Sequence, residues 1–247
     1  MKVLRTMLLI ISLFSAFSAN AQARQLITVG YYEFPPASYT DSANQPSGYI
    51  LELGRTLLTH AGYDVAFKAL PSARLYSDLI SGNIDLWLGA PNKTELAGHT
   101  LESTKTLGEF TLAVYYHPKS KPPRLPDDLK GKKIILIGGY SYWPPINNNW
   151  LADSTLNLKV TRTSRHTSAI AMLLRKRGDY LFDYLEPVRD AQKKLGLDEL
   201  SLPHIILHSV PATFIVSKRA PNAEKILADL ELQFDMFNNS RIFQHPH

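Results

Sequence analysis

Apolar and polar residues alternate along the first half of the chain in a way that predicts strands followed by helices. Leu26 to Tyr31 is a nearly continuous apolar run, which is typical of a strand buried on both faces of a parallel sheet. After Gly48, apolar residues recur at helical spacing up to Gly62, which predicts a helix that ends there. The same order continues with a strand over 65–70, a helix from Ser72 (its predicted cap) to Gly82, and a strand over 84–88. Alternating strands and helices predict an α/β sheet.

The pattern starts again after the proline-rich stretch at residues 122–126, which indicates a second lobe. Strands are predicted over 110–116, 133–137, 158–161 and 180–182, with a helix over 168–177. Two further strands, over 205–210 and 212–216, are predicted on either side of Pro211, because proline interrupts strand pairing. A helical stripe over 223–237 closes the chain.

The N-terminal end of the chain has the pattern of a secretory signal peptide. Met1 to Arg5 carries positive charge, an apolar stretch runs from Met7 to Phe17, and an A-x-A cleavage pattern follows at 19–23. The apolar stretch is too short to cross a bilayer comfortably, although a buried helix or a membrane anchor is the alternative interpretation. We therefore expect residues 1–23 to be removed and the mature protein to work outside the cytoplasm.

Composition and charge narrow the classes of function. The net charge is +5 at pH 7, and the basic residues are scattered among acidic ones, so neither nucleic acid nor an anionic membrane is indicated as a partner. Cysteine is absent, so no disulfide and no lipid-modified cysteine is possible. No second apolar run is long enough to span a bilayer. We expect a mature protein that is soluble, not lipid-anchored and not membrane-spanning.

Five short motifs occur in one order along most of the chain. They are Tyr32-Glu33-Phe34-Pro35-Pro36, Gly48-Tyr49-Ile50-Leu51-Glu52, Leu79-Ile80-Ser81-Gly82-Asn83-Ile84-Asp85, Asp128-Leu129-Lys130-Gly131-Lys132-Lys133, and Met172-Leu173-Leu174 leading to Gly178-Asp179-Tyr180. In these motifs and their order, the chain resembles the periplasmic solute-binding proteins of the polar amino-acid type (bacterial extracellular solute-binding protein family 3, type II periplasmic binding fold).

The resemblance implies an α/β fold with two lobes, each a mixed sheet flanked by helices. Lobe 1 would comprise residues 24–109 and 211–247, and lobe 2 residues 110–210. A ligand would bind in the cleft between them, and closure would be a hinge motion. The implied location is the periplasm. The implied partners are a small polar or amino-acid-like solute and either an inner-membrane ABC permease or a membrane sensor.

Candidate ligand contacts in the first lobe lie at predicted strand ends. Tyr32 and Phe34 follow the first strand, at the edge where open α/β sheets bind ligands. Tyr32 is predicted to face the cleft, whereas Phe34 could equally pack in the core. Trp87 in the third strand, and Asn92 and Thr94 after it, are further candidates that the resemblance suggests.

The chain departs from the resemblance at Ala97, where related proteins place an arginine that binds the ligand carboxylate. An ordinary α-amino acid ligand is therefore in question. Arg74, at the start of the second helix, could supply the missing charge from a neighbouring loop. A surface salt bridge is the equally supported alternative for Arg74.

In the second lobe, Ser141, Tyr142 and Trp143 follow a turn whose backbone N–H groups and hydroxyl could hold a ligand oxygen. Ser141 could instead cap a helix, and Trp143 could pack in the core. The resemblance also implies an aspartate that holds a ligand ammonium group. We assign Asp183, although the expected spacing falls on Tyr184, because a carboxylate pairs with a cation more strongly than a phenol does. A helix cap is the alternative for Asp183.

No catalytic or metal-binding motif supports an enzyme. His204 and His208 are four residues apart, but in a predicted strand rather than a helix, so no metal site is expected. We predict a non-enzymatic binding protein with no metal and no cofactor. A periplasmic dehydratase on the same fold, with Glu33, Asp183 or Glu186 as its acid, is the alternative.

Overall fold

The structure is a computed structural model that describes residues 23–140, 142–198 and 202–244, with side chains up to residue 239. The predicted signal peptide over 1–23, apart from Ala23, and Ser141 lie outside these residues. The described chain forms eleven strands and five α-helices. The strands are β1 (Leu26–Tyr31), β2 (Tyr39–Thr40), β3 (Pro46–Ser47), β4 (Asp64–Ala69), β5 (Leu86–Gly89), β6 (Thr100–Glu102), β7 (Gly108–Tyr116), β8 (Lys133–Ile137), β9 (Lys159–Thr163), β10 (Tyr180–Tyr184) and β11 (His204–Ser217). The helices are α1 (Tyr49–His60), α2 (Ser72–Ser81), α3 (His166–Leu174), α4 (Leu185–Lys194) and α5 (Ala223–Gln244).

The first part of the main sheet, which we name lobe 1, has the strand order β4-β1-β5-β11, and β6 pairs with the end of β11. β1 is parallel to both β4 and β5, and its Ile27 and Val29 have no exposed surface. This confirms the parallel strand predicted from the continuous apolar run. α1 packs on this sheet through Leu57, and α5 packs on α1 and β11 through Ile226.

The second part of the sheet, which we name lobe 2, has the order β11-β7-β10-β8-β9. β8 is parallel to β9 and β10, whereas β7 is antiparallel to β10 and β11, so the sheet is mixed. α3 and α4 contribute Leu173 and Val188 to one buried cluster. A second cluster includes Leu136, Ile146 and Phe182. The apolar residues of lobe 2 thus form cores of their own, separate from that of lobe 1.

Strand β11 runs through both lobes. Residues 204–212 pair with β7, and residues 213–216 pair with β5. The prediction of two strands separated by Pro211 is wrong, because β11 continues through Pro211, which is the partner of Glu109. Over 204–212, β11 has a partner strand on one side only within the described sheet, and such an edge tolerates a residue without an N–H group.

The start of α2 differs from its prediction in one contact. Pro71 is the residue before the helix, so Ser72 is its first helical residue and does not cap it. The Ser72 hydroxyl instead donates a hydrogen bond to the carbonyl of Gly139 in lobe 2, at 2.7 Å. The helix ends at Gly82, with φ +83° in the left-handed region, as the sequence predicts.

Candidate functional site

Lobe 1 and lobe 2 face each other across a cleft near the carboxyl ends of β1, β5, β8 and β10. In open α/β sheets, this edge is where ligands bind. Three cavities formed by the described residues lie at this boundary: cavity A of about 710 Å³, cavity B of about 730 Å³ and cavity C of about 460 Å³. Each is lined by residues of both lobes, and cavities A and C share Ser72, Gly139 and Tyr140. Their volumes are typical of small-molecule sites.

Four aromatic rings meet across the cleft. The ring centroid of Phe34 lies 5.3 Å from that of Tyr140 and 5.1 Å from that of Tyr184. The centroid of Tyr32 lies 6.3 Å from that of Tyr140. Burial raises the pKa of Tyr32, Tyr140 and Tyr184 above the ordinary value, so these hydroxyls stay protonated at neutral pH. The centre of the cleft therefore offers ring faces and neutral hydroxyls.

The two aromatic residues predicted after β1 occupy different depths. Tyr32 is half-buried and lines cavity A. Phe34 is only 5% exposed and packs in the core of lobe 1, with its ring centroid 4.9 Å from that of Phe110. Phe34 is thus a core residue that also contacts the facing lobe.

Trp87 and Tyr76 form a second layer of rings next to Tyr32 in lobe 1. Trp87 is 3% exposed, and its ring centroid lies 5.9 Å from that of Tyr32 and 5.4 Å from that of Tyr76. The indole lies over Gly89, where an added β-carbon would be 2.0 Å from the ring. Trp87 thus packs behind Tyr32 and beside Tyr76 in lobe 1. Its contact with a ligand stays a prediction.

Asp183 is fully buried and belongs to a chain of hydrogen bonds that reaches the cleft. Its Oδ2 lies 2.7 Å from Nδ1 of His166, and its Oδ1 accepts the backbone N–H of Tyr184 at 2.8 Å. Nε2 of His166 lies 3.0 Å from the hydroxyl of Tyr140, which lines cavities A and C. Burial raises the pKa of Asp183, and the hydrogen bond with His166 opposes that effect. Asp183 thus positions His166 and Tyr140, and its contact with a ligand ammonium group stays a prediction.

Tyr184 lies on the opposite face of β10 from Asp183, because successive strand residues point to opposite sides. Its ring contacts Phe34 across the cleft and lines cavity B. Asp183 is therefore a buried group that positions its neighbours, whereas Tyr184 is the ring that lines the cleft.

Tyr142 and Trp143 both line cavity B. The hydroxyl of Tyr142 accepts the backbone N–H of Ile137 at 2.7 Å and donates to the carbonyl of Phe182 at 3.2 Å. Trp143 stacks on the ring of His208, with centroids 5.0 Å apart and an interplanar angle of 15°. Both side chains are therefore held by contacts within lobe 2. The neighbouring candidate, Ser141, lies outside the described residues.

The loop after β5 places polar side chains along cavity B. Asn92 and Thr94 are exposed and line this cavity, and the backbone N–H of Asn92 donates to Oε2 of Glu102 at 2.9 Å. Lys93 also lines cavity B, and burial lowers its pKa, although the charge of Glu95 opposes that effect. Contacts of Asn92 and Thr94 with a ligand stay predictions.

Arg74 is engaged within its own helix. Its Nε lies 2.8 Å from Oδ1 of Asp78, one turn later, and Nζ of Lys68 lies 3.2 Å from Oδ2 of the same residue. Burial raises the pKa of Asp78, but the hydrogen bond from Lys68 and the charge of Arg74 together bring it below the ordinary value. Arg74 does not line cavity A, B or C. The salt bridge considered for Arg74 is therefore present, and a role in ligand binding stays a prediction.

Sequence reasoning does not select Tyr76, Tyr140 or His166, and it prefers Asp183 to Tyr184, on which the expected spacing falls. The prediction favours charged and small polar side chains as ligand contacts. It therefore selects Ser141 and Asp183 instead of the neighbouring Tyr140 and Tyr184. His166 carries no local signal, since its partner is 17 residues away.

The described residues hold no group of three or more His, Asp or Glu side chains arranged to bind a metal ion. His204 and His208 lie on β11, where their rings contact Tyr115 and Trp143. Among residues 23–140, 142–198 and 202–244, no helix has the length and apolar character needed to cross a bilayer.

Comparison with known proteins gives a family match and several structural matches. Residues 27–204 match the profile of the bacterial extracellular solute-binding proteins, family 3. No curated protein matches the chain.

Solved structures share the fold at low sequence identity. A histidine kinase sensor domain similar to periplasmic binding proteins has a TM-score of 0.70 and 19% identity, with 90% of this chain and 93% of that chain covered. An ancestral arginine-binding protein bound to arginine has a TM-score of 0.69 and 19% identity, with 90% and 96% covered. A substrate-binding protein of an ABC uptake transporter from Streptococcus pneumoniae, with bound histidine, has a TM-score of 0.71 and 15% identity, with 94% and 92% covered. The predicted α/β, type II periplasmic-binding fold is confirmed.

Proposed function

We propose that this chain, which belongs to the bacterial extracellular solute-binding proteins of family 3, captures a small solute between lobe 1 and lobe 2. The family consists of binding proteins, which agrees with the prediction of a non-enzymatic function. The observation that carries the proposal is the meeting of Tyr32 and Phe34 with Tyr140 and Tyr184, beside cavities that both lobes line. A solute that touches both walls gains contacts only when they close, so it favours the closed arrangement.

The solute that we propose has a polar group and an apolar body that lies against aromatic rings. Two observations support a solute other than an ordinary α-amino acid. Ala97 has no side-chain charge for a carboxylate, and the carboxylate of Asp183 is already bonded to His166 and to the N–H of Tyr184. Arginine and histidine, the ligands of two matched proteins, are themselves α-amino acids, and we carry over from them only the polar group on a larger body.

We propose lobe boundaries at 24–109 with 211–247, and at 110–210, with a hinge where the chain crosses between the lobes. Gly108 and Ala212 are partners in the β7–β11 ladder, so the two crossings lie side by side. Beyond Ala212, β11 pairs with β5 of lobe 1. Adjacent crossings of this kind suit a hinge, because a few residues absorb the rotation. Opening would break the hydrogen bond from Ser72 to Gly139.

We also propose a signal peptide over 1–23, a periplasmic location, and delivery of the closed form to an ABC permease or a membrane sensor. The family is extracellular, and the matched structures include both a transporter component and a sensor domain. N-terminal sequencing of the exported protein tests the location, and we expect it to start at Gln22 or Arg24. An intact Met1 on the exported protein would contradict the signal peptide.

Thermal unfolding with a panel of amino acids, polyamines, amines and organic acids tests solute capture. A solute at 100 times its dissociation constant should add about 2.7 kcal/mol to the free energy of unfolding. Tyr140→Ala, which removes a ring shared by cavities A and C, should lower that gain. Leu232→Ala, at an exposed position on α5, is the matched control and should keep it. No response to any member of the panel would contradict the proposal.

A further inference from the structure

Tyr76 carries a buried hydroxyl without a hydrogen-bond partner among the residues that the structure describes. The side chain is 6% exposed and lines cavity C. Its hydroxyl oxygen is covered in this arrangement of the lobes, so a ligand group would reach it as the lobes open. Other buried tyrosines of the cleft region are satisfied, since the hydroxyl of Tyr31 bonds Oγ1 of Thr40 at 3.0 Å and that of Tyr142 bonds two backbone groups. An unpaired buried polar group is unfavourable and rare, so it calls for a partner that a ligand could supply.

The charged group at cavity C is acidic. Among the residues that the structure describes, its lining includes Glu95, Ser72 and Ser77, but no basic residue. Burial, and then the neighbouring Tyr32 and Glu95, raise the pKa of Tyr76, so the phenol keeps its proton at neutral pH. Its oxygen can therefore accept a hydrogen bond from an N–H donor, and the carboxylate can pair with the charge of that donor.

Aromatic faces close to Tyr76 add to this preference for a cation. The ring of Tyr76 packs on Trp87, and Trp87 packs on Tyr32. Tyr140 lines cavities C and A, so a group in cavity C can continue past this ring into the larger cavity. Ring faces attract cations and also accept the apolar part of a solute.

We propose that cavity C is the subsite for a primary ammonium group of the solute, held by the hydroxyl of Tyr76 and the carboxylate of Glu95. The apolar body of the solute lies along Tyr140 toward cavity A. This inference rests on the proposed capture of a solute in the cleft, and it places the cation site in lobe 1. The solute class that we propose for this subsite is small primary amines with an apolar body.

Isothermal titration calorimetry with matched probes tests this subsite. The probes are 2-phenylethylamine, 1,4-diaminobutane and 3-phenylpropionate, which replaces the ammonium group of the first probe by a carboxylate. We expect at least one amine to bind, and 3-phenylpropionate to bind at least about tenfold more weakly than 2-phenylethylamine. Tyr76→Phe and Glu95→Gln should each weaken amine binding about tenfold.

Tyr31→Phe is the matched control, because it removes a satisfied tyrosine hydroxyl of lobe 1 that lies outside the lining of cavity C. It should leave amine binding unchanged and lower the urea midpoint. Tyr76→Phe should leave the urea midpoint unchanged or raise it, because it removes an unpaired buried group. Weaker amine binding without a lower urea midpoint is not expected from the loss of a hydroxyl that only stabilises the fold.

Three results would overturn the subsite: equal amine binding by Tyr76→Phe and the natural protein, equal binding of 3-phenylpropionate and 2-phenylethylamine, or a urea midpoint lowered by Tyr76→Phe as by Tyr31→Phe. If neither amine binds but another solute of the thermal panel does, the subsite is wrong and capture in the cleft stands. If no solute of any class binds, the proposed function fails as well.

Discussion

Tyr140 and Tyr142 of lobe 2 differ from Tyr76 of lobe 1 in what their hydroxyls bond. In lobe 2, the hydroxyl of Tyr140 bonds His166, which in turn bonds Asp183, and the hydroxyl of Tyr142 bonds the backbone. In lobe 1, the hydroxyl of Tyr76 has no partner among the described residues. The lobe 2 tyrosines are therefore held by hydrogen bonds within their lobe, whereas the hydroxyl of Tyr76 in lobe 1 keeps the capacity to bond a ligand.

Asp183→Ala tests the internal support of the lobe 2 wall and has the largest expected effect. The change removes the buried acceptor of His166 and of the N–H of Tyr184. We expect the free energy of unfolding to fall by about 3 kcal/mol, measured by urea unfolding at pH 7. Glu186→Gln is the control, because it breaks an exposed pair with Arg189 and should cost less than about 1 kcal/mol. Equal losses for the two variants would remove the argument that Asp183 holds this wall.

Gly89→Ala tests the packing of the lobe 1 wall. The added methyl group would meet the indole of Trp87, which must then move against Tyr32 and Tyr76. We expect a loss of about 2 kcal/mol in the free energy of unfolding, together with a changed tryptophan emission spectrum. Gly138→Ala is the control, because its nearest neighbour would be the carbonyl of Thr163 at 3.9 Å, and its effect should stay within about 1 kcal/mol. An unchanged stability of Gly89→Ala would show that Trp87 is not fixed in this position.

Ser72→Ala tests the direct bond between the walls. The hydroxyl of Ser72 bonds Gly139 across the two lobes, and the proposed opening would break this bond. Its loss should therefore weaken solute binding about fivefold, or about 1 kcal/mol. The free energy of unfolding should change little, since the bond lies between the apolar cores of the two lobes and not within either of them. Thr56→Ala, whose hydroxyl bonds within α1, should leave binding unchanged in the same calorimetric titration. If Ser72→Ala and Thr56→Ala bind the solute equally well, the bond between Ser72 and Gly139 does not contribute to closure.

A second buried carboxylate, Asp78 of α2, lies outside the lining of cavities A, B and C, and its pKa is shifted in the direction opposite to that of Asp183. The pKa of Asp78 lies below its ordinary value of 3.8, so the native state binds fewer protons there than the unfolded state does. The stability that Asp78 contributes is therefore fully present above its ordinary pKa of 3.8, and it is lost as the pH falls through the lower pKa of the native state. We expect the difference in urea midpoint between the natural protein and Asp78→Asn to be constant above about pH 5 and to shrink below about pH 3.8. A difference that grows as the pH falls would contradict this assignment.

Local patterns identify most of the fold but fewer of the groups in the cleft. The apolar run of β1 and the stop of α2 at Gly82 follow from burial and backbone geometry, which neighbouring residues determine. The continuation of β11 through Pro211 depends on the absence of a second partner strand there, which a local pattern does not show. The sequence suggests the family through several motifs in one order, and the profile match over residues 27–204 confirms it.

The cleft is harder to predict because its contacts join distant residues. Asp183 looks like a free acid until His166 is placed beside it, and Arg74 looks available until its bond with Asp78 is seen. The unpaired state of Tyr76 is a property of its whole surroundings. Sequence patterns indicate the edge of the sheet where the site lies, whereas the packing of the two lobes decides which side chains face the cleft.

A distance measurement between the lobes tests most directly the claim that the two walls close on a solute. The natural chain has no cysteine, so spin labels can be attached to cysteines introduced at Ala43 of lobe 1 and Lys193 of lobe 2, both exposed. Lys159 and Lys193, both in lobe 2, form the control pair.

We predict that the solute with the largest thermal response shortens and narrows the distance distribution between the lobes, while the control distance stays the same. Identical distributions between the lobes with and without a solute whose binding calorimetry confirms would contradict the account.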